Sequence, residues 1–470
     1  MKKRYYLLKT SIGIFFLISL VSLTNPVLPP VPYDYESLNL PSHMSAFDVT
    51  SQDNTPSNNP ISDDGATLGR VLFYDKNLSR NNTVSCGSCH QQEHAFSDTS
   101  SMSVGFHGDF TRRNSMSLVN SRWFSGGQMF WDTRGNTLEQ AVLMPIQDTI
   151  EMGLTLLQLV QVVQQQPYYS QLFSNAFGDT AVTTLRIGQA LAQFVRSIIS
   201  YSSKYDIGRA QEFSPTNPFS NFTPGENEGK QIFFSTSDFG GGDCFVCHRT
   251  DAFTGGPLLT NNGLDAISTI DSGAFEVTGS LGDIGKFKTP TLRNIALTAP
   301  YMHDGRFNSL FQVIDFYSTN IQLHRNLTAG LIVADSITGA LSPKRFDFTP
   351  SQIMALVDFL NTLSDYSILT EVKWSDPFII PTSVPDVNEL QLAIYPNPCA
   401  NYFSVYADGI LQDRIVDLEI TDVKGKTLFS QKVFLTEKKL ISISDFPDGV
   451  YFVIIKIDGK RVTKKLVKGF

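Results

Sequence analysis

Residues 84–90 read VSCGSCH and residues 242–248 read GDCFVCH. Each stretch sets two cysteines three positions apart with a histidine directly after the second: Cys86, Cys89 and His90, then Cys244, Cys247 and His248. Thiols at this spacing can hold zinc, exchange disulfides, or add across the two vinyl groups of one haem while the adjacent imidazole binds its iron. A zinc site would need the two pairs to converge, and they stand 158 residues apart, Cys86 to Cys244. Two copies, each followed at once by His, predict two covalently bound haem c groups with His90 and His248 as proximal ligands. The remaining cysteine, Cys399, lies far downstream and reads as a free, buried thiol.

Working outward, the N-terminus reads MKKRYYLLKTSIGIFFLISLVSLTN. Lys2, Lys3, Arg4 and Lys9 precede a short apolar run, Ile12 to Leu23, which suits a signal peptide over residues 1–25 better than a membrane span. The Ser22-Leu23-Thr24-Asn25 end lacks an A-x-A pattern, so an uncleaved anchor is the alternative; either way the rest of the chain is exported. The full chain has 470 residues, more than one ordinary core accommodates, and its net charge of -8 speaks against a nucleic-acid partner. Residues 26–60 are rich in Pro, Ser, Asn and Asp and read as a linker or wrapping segment. From Asp63 the pattern becomes globular: a helix-like DGATLGRVLFY leads through a polar loop into the first motif. Ile187, Leu191, Phe194, Val195 and Ile198 then recur at helical spacing. A second unit restarts at TPGENEGKQIFFS before CFVCH, and closes on a helix with Thr349 as N-cap and Pro350 at its first position. After a Pro-containing linker at 371–388, short alternating strands separated by Lys424-Gly425, Asp448-Gly449 and Asp458-Gly459 predict a small β-sandwich over 389–470. The predicted fold is mainly α: two tandem cytochrome c-like haem domains, 61–210 and 211–370, followed by this all-β module.

Between and after the motifs, the chain resembles the bacterial diheme cytochrome c peroxidases and the related diheme enzyme that matures a tryptophan-derived quinone. The resemblance runs from about residue 63 to 366. It rests on Arg113-Asn114-Ser115, Phe130-Trp131-Asp132-x-Arg134, Leu138-Glu139, Pro145-Ile146 and Glu151-Met152-Gly153. In the second half it rests on Phe287-Lys288-Thr289-Pro290-Thr291-Leu292-Arg293-Asn294 and Pro300-Tyr301-Met302-His303-Asp304-Gly305. Peroxide cleavage needs an acid/base that carries a proton from the inner to the outer oxygen. The resemblance assigns that role to Glu151; by itself Glu151 could be a solvated acid. It assigns Trp131 to electron relay between the haems, the bland alternative being a core aromatic. It also implies a calcium ion held by the Asn114 side chain and the Thr298 and Pro300 carbonyls, oxygen donors that suit this hard cation. The family's auxiliary amide position is Ala141 here, with Gln140 one earlier. The slot for a distal histidine at the first haem falls on Phe106, with His107 beside it; if Phe106 holds the slot, the haem stays open without reductive activation.

The segment PYMHDGRFNSLFQVIDFY, 300–317, offers Met302, His303 and Tyr317 to the second haem. Ligand softness nominates Met302. The family register instead places the ligand on Tyr317, makes His303 a pocket residue and leaves His324 on the surface. The β module resembles the C-terminal sorting domain of type IX secretion cargo through Tyr395-Pro396-Asn397-Pro398, Asp422-Val423-Lys424-Gly425-Lys426, Gly449-Val450-Tyr451-Phe452-Val453 and Lys464-Lys465-Leu466-Val467-Lys468. It implies recognition by that secretion machinery and passage from the periplasm to the cell surface or medium. Three functions are consistent with these residues. One is reduction of hydrogen peroxide with electrons from a small cytochrome c or cupredoxin. Another is peroxide-dependent oxidation of an organic or protein substrate through a Tyr-ligated second haem. The third is a non-enzymatic two-haem electron carrier.

Overall fold

The computed structural model describes residues 25–124, 127–255, 259–378, 392–407, 414–435, 438–457 and 460–469. The predicted signal peptide, most of the 371–388 linker and the Asp458-Gly459 turn lie outside them. Contacts divide the chain near residue 380 into two compact units.

In the first unit, the Ser62 hydroxyl accepts the Gly65 amide and starts helix α1, Asp63–Tyr74. The first motif forms the one-turn helix α2, Cys86–Cys89, whose Gly87 leaves room for the Tyr74 ring; a Cβ there would stand 2.5 Å from it. Helix α3, Thr184–Ser197, is capped by Thr183 and buries Ile187, Leu191, Phe194 and Val195 against α1, as its period predicted. The α1–α3 crossing is tight because Gly69 faces the Ala190 carbonyl, where a Cβ would come within 2.0 Å.

The same device recurs downstream. A Thr223/Glu226 capping box opens helix α4, Pro224–Phe234, and the second motif forms helix α5, Cys244–Cys247. Helix α6, Leu310–Thr319, and helix α7, Pro350–Asn361, complete this cluster, α7 starting on Thr349 and Pro350 as expected. Gly229 of α4 meets the Ala355 carbonyl of α7, where a Cβ would come within 1.8 Å. Tyr205, Phe219, Phe233, Phe253 and Phe359 fill the core between them.

Two stretches read as linker are in part packed. Leu38, Leu40, Met44 and Val49 join Trp123, Ile199 and Ala252 in one apolar cluster. His43 Nε2 pairs with Asp206 at 2.8 Å, and the Tyr35 hydroxyl donates to the Lys373 carbonyl. Residues 26–60 thus form a strap, held by a few apolar and aromatic side chains in an otherwise polar sequence. Likewise Trp374 is buried, its backbone carbonyl accepting the Tyr74 hydroxyl at 2.7 Å, so the chain leaves this unit several residues later than its composition suggests. His324 also departs from expectation: it is 3% exposed, with Nδ1 accepting the Asn326 amide at 3.0 Å and Nε2 3.3 Å from the Ser268 hydroxyl. Its neighbours are polar in sequence, but those local bonds satisfy the ring and let it fold inward.

The second unit has strands β1 Leu392–Tyr395, β2 Tyr402–Ala407, β3 Arg414–Asp422, β4 Thr427–Leu435, β5 Lys438–Ser442, β6 Gly449–Ile457 and β7 Lys460–Lys468. They form one antiparallel sheet in the order β4-β3-β6-β7 and another in the order β5-β2-β1. Phe403, Val405, Leu418, Ile420, Ile441, Val453, Ile455 and Leu466 make their common core. Cys399 is free and 1% exposed, as the sequence suggested.

Candidate functional site

Each motif turns its histidine the same way. His90 Nδ1 is 3.0 Å from the Phe96 carbonyl, and His248 Nδ1 is 3.1 Å from the Pro290 carbonyl. A carbonyl partner fixes the proton on Nδ1 and leaves Nε2 as the basic nitrogen, the arrangement a metal-binding imidazole needs. Burial also keeps both rings neutral, taking His248 down to about 4 and His90 below its ordinary value. Phe96 reaches its partner through a left-handed backbone, φ 58°, a local conformation that the residue types do not announce.

Glu151 lies on the first side. Gly105 packs so closely on this turn that a Cβ would come within 1.7 Å of the Ile150 carbonyl, and the Phe106 amide donates to the Glu151 carbonyl at 3.1 Å. Burial pushes the Glu151 carboxyl up to about 7; Asp148 adds to the rise and Arg134 opposes it. Burial raises the Cys86 and Cys89 thiols, and the Glu151 charge adds to the rise, so the carboxyl stands within electrostatic reach of the first motif. Phe106 is buried against Gly153, whereas His107 is exposed. Gln140 is exposed and Ala141 buried, so no amide occupies the family's auxiliary position.

Trp131 sits between two backbone anchors. Its Nε1 donates to the Asn114 carbonyl at 2.9 Å, and its own carbonyl accepts the Lys288 amide at 2.7 Å. Phe130 and Thr133, which bracket Trp131 and Asp132, both adopt left-handed backbone, φ 70° and 60°. Asp132 joins Arg134 at 3.1 Å and also pairs with Arg113, which holds Asp271 through two bonds of 2.7 Å. His303 closes the chain, 4.0 Å from Asp271, stacked on Phe287 and edge-on to Trp131 with centroids 6.4 Å apart. The sequence pointed to Trp131 and His303 but not to this ion-pair chain. Arg113 and Asp271 are far apart in sequence, and nothing in either neighbourhood pairs them.

Cys244, Cys247, His248, Trp131, Met302, His303 and Tyr317 line one cavity. Tyr317 reaches it from α6, and the Asn262 amide donates to its hydroxyl oxygen at 3.2 Å. Burial raises the Tyr317 hydroxyl to about 12, Asn262 opposing and the Cys247 and Cys244 thiols adding. Asn262 carries no recognisable sequence signal. Lys288 is also buried here, its Nζ 3.0 Å from the Phe124 ring centre, and desolvation drives its pKa well down. Asn114, Thr298 and Pro300 share this cavity wall. The Asn114 Nδ2 is taken up by the Ser100 and Ser101 carbonyls at 3.3 and 3.2 Å. Among the described residues, no group of three or more His, Cys, Asp or Glu could enclose a metal ion, so a cation here would depend on neutral oxygens.

Residues 63–212 match the di-haem cytochrome c peroxidase family, and residues 393–469 match a secretion system C-terminal sorting domain. The chain is 31% identical over 271 residues to the methylamine utilization protein MauG of Methylophilus methylotrophus, covering 56% of this chain and 75% of that protein. It is 30% identical over 307 residues to cytochrome c551 peroxidase of Nitrosomonas europaea, covering 65% of this chain and 81% of that one. A solved structure of a MauG-like protein associated with microbial copper homeostasis superposes with TM-score 0.60 at 31% identity, over 73% of this chain and 99% of that one. The diheme peroxidase BthA of Burkholderia thailandensis, at 23% identity and TM-score 0.53, shares the fold. No helix among the described residues is long and apolar enough to cross a membrane, and the sorting module points to export. The chain therefore belongs to the di-haem cytochrome c peroxidase family of oxidoreductases, whose two haems its paired motifs are built to receive.

Proposed function

We propose that residues 61–210 and 211–370 are two cytochrome c-like haem domains, and that the chain reduces hydrogen peroxide to water at the first with electrons delivered through the second. Cys86, Cys89 and His90 hold one haem; Cys244, Cys247, His248 and Tyr317 hold the other. A haem on His90 supplies an iron site that takes peroxide and accepts its oxidising equivalents. Glu151 takes the proton from the inner peroxide oxygen and returns it to the outer one, so that the departing group leaves as water. The observation that carries this reading is the Glu151 carboxyl, half-buried on the turn that packs against Gly105 and Phe106 and raised by desolvation to about 7, where it can both accept and release a proton at neutral pH. Phe106, which has no atom able to ligate iron, fills the slot where a distal histidine would stand, and His107 beside it is exposed; with that slot held by Phe106, a haem bound here would work without prior reduction. Trp131, clamped between Asn114 and Lys288, relays electrons from the second haem. The Asn114 side chain and the Thr298 and Pro300 carbonyls would hold a calcium ion in the wall of the second cavity. Glu151→Gln is expected to lower peroxide turnover by ~10² to 10⁴ with both haems still attached; unchanged turnover would remove Glu151 from the mechanism.

A second reading has its own observation in Tyr317. An anionic oxygen ligand stabilises oxidised iron, which favours storing oxidising equivalents and passing them through Trp131 to an organic or protein substrate. Steady-state assays with peroxide separate the two: consumption of a reduced small cytochrome c or cupredoxin supports the first, and turnover of other donors alone supports the second.

A further inference from the structure

Asn262 connects two side chains in the second cavity. Its Nδ2 donates to the Tyr317 hydroxyl oxygen at 3.2 Å and lies 3.7 Å from the Met302 sulfur, while its Oδ1 accepts the Leu264 amide at 3.2 Å. With the carbonyl end committed to Leu264, the two amide hydrogens serve the oxygen and the sulfur. Met302 reaches this place through a left-handed backbone, φ 75°, a conformation unusual for a long side chain and frequent where function fixes a side-chain direction. Met302 and Tyr317 pack on one small cluster, Leu264, Phe316, Ile321 and Leu327, and both line the cavity of Cys244, Cys247 and His248. The cavity therefore offers a hard oxygen and a soft sulfur under a single amide.

We infer that Tyr317 and Met302 are alternative axial ligands of the second haem, Tyr317 in the ferric state and Met302 in the ferrous state, exchanging beneath Asn262. This rests on the reading of Tyr317 given above. Anionic oxygen suits the harder ferric ion, and a thioether suits the softer ferrous one. The exchange balances simply. One electron arrives from a small redox protein, or from dithionite in vitro, and reduces the iron. The iron–oxygen bond breaks, and Tyr317 takes one proton from solvent to become a neutral phenol that still accepts from Asn262. The iron–sulfur bond forms from a Met302 lone pair, and no other atom is gained or lost.

The test uses the full chain with both haems, examined by resonance Raman in the ferric state and by proton NMR after dithionite. Ferric wild type is expected to show tyrosinate vibrations that Tyr317→Phe abolishes. Ferrous wild type is expected to show the strongly upfield methyl signal of an iron-bound methionine. Met302→Leu is expected to lose that signal, leaving the ferrous second haem five-coordinate while the ferric tyrosinate bands and the first-haem spectrum stay unchanged, which also shows that the variant folds. Tyrosinate bands with no upfield methyl signal in the wild type, or a signal that survives Met302→Leu, overturn the exchange and leave Tyr317 as ligand. Absence of tyrosinate bands in the wild type overturns both.

Discussion

A carboxyl that titrates near 7 has consequences at both ends of the pH scale. Glu151 must be unprotonated to take a proton from peroxide, so kcat/KM for peroxide is expected to fall as pH drops through about 7, and Glu151→Gln should lack that limb. The stability effect has a definite sign. The folded pKa is raised above the ordinary carboxylate value of 4.5, so the contribution of this group is favourable below about 4.5 and is lost as pH rises through about 7. Glu151→Gln is therefore expected to unfold at a higher temperature than wild type at pH 8, with the difference vanishing at pH 4; calorimetry on the holoprotein checks it. At this scale much was legible. The six thiol and imidazole positions of the two five-residue motifs announce themselves, and Phe106, His107, Ala141 and Cys399 stand as their contexts suggested. Asn262 was not legible, because a single Asn in a polar loop looks like any turn residue, and His324 was misread because its local hydrogen bonds leave no trace in composition.

Among the elements, the two glycine-mediated crossings set the separation of α1 from α3 and of α4 from α7. Hydrophobic period revealed which face α3 buries, yet it carries no information about how closely two axes approach. Gly69 and Gly229 supply that, since their missing side chains admit the Ala190 and Ala355 carbonyls. Gly69→Ala and Gly229→Ala are each expected to cost about 1–3 kcal/mol by forcing the pair apart, which denaturant titration measures. The strap was likewise hidden. Its sequence is mostly polar, and a few scattered side chains, among them Tyr35, Leu38, Leu40, Met44 and Val49, are what lie against the body.

For the whole molecule, the Asp132–Arg113–Asp271 chain links residues near the first motif to residues that follow the second. Arg113→Met leaves half-buried Asp271 without its guanidinium and buried Asp132 with Arg134 alone, and is expected to destabilise the first unit by about 1–3 kcal/mol, read from unfolding midpoints. A chain ending at residue 379 is expected to keep full peroxide turnover while losing delivery beyond the periplasm, measured by activity in cell fractions. The division near residue 380 was visible in the change from helical period to alternating strands. Tertiary ion pairs were not, because charge pairing across long sequence separations is decided only once the chain has folded.

The strap also fixes an order of events. Tyr35 and His43 enter the exported compartment before either motif, but the groups that hold them, the Lys373 carbonyl and Asp206, emerge after the first motif and, for Lys373, after the second as well. The belt cannot fasten until nearly all of the first unit has been delivered.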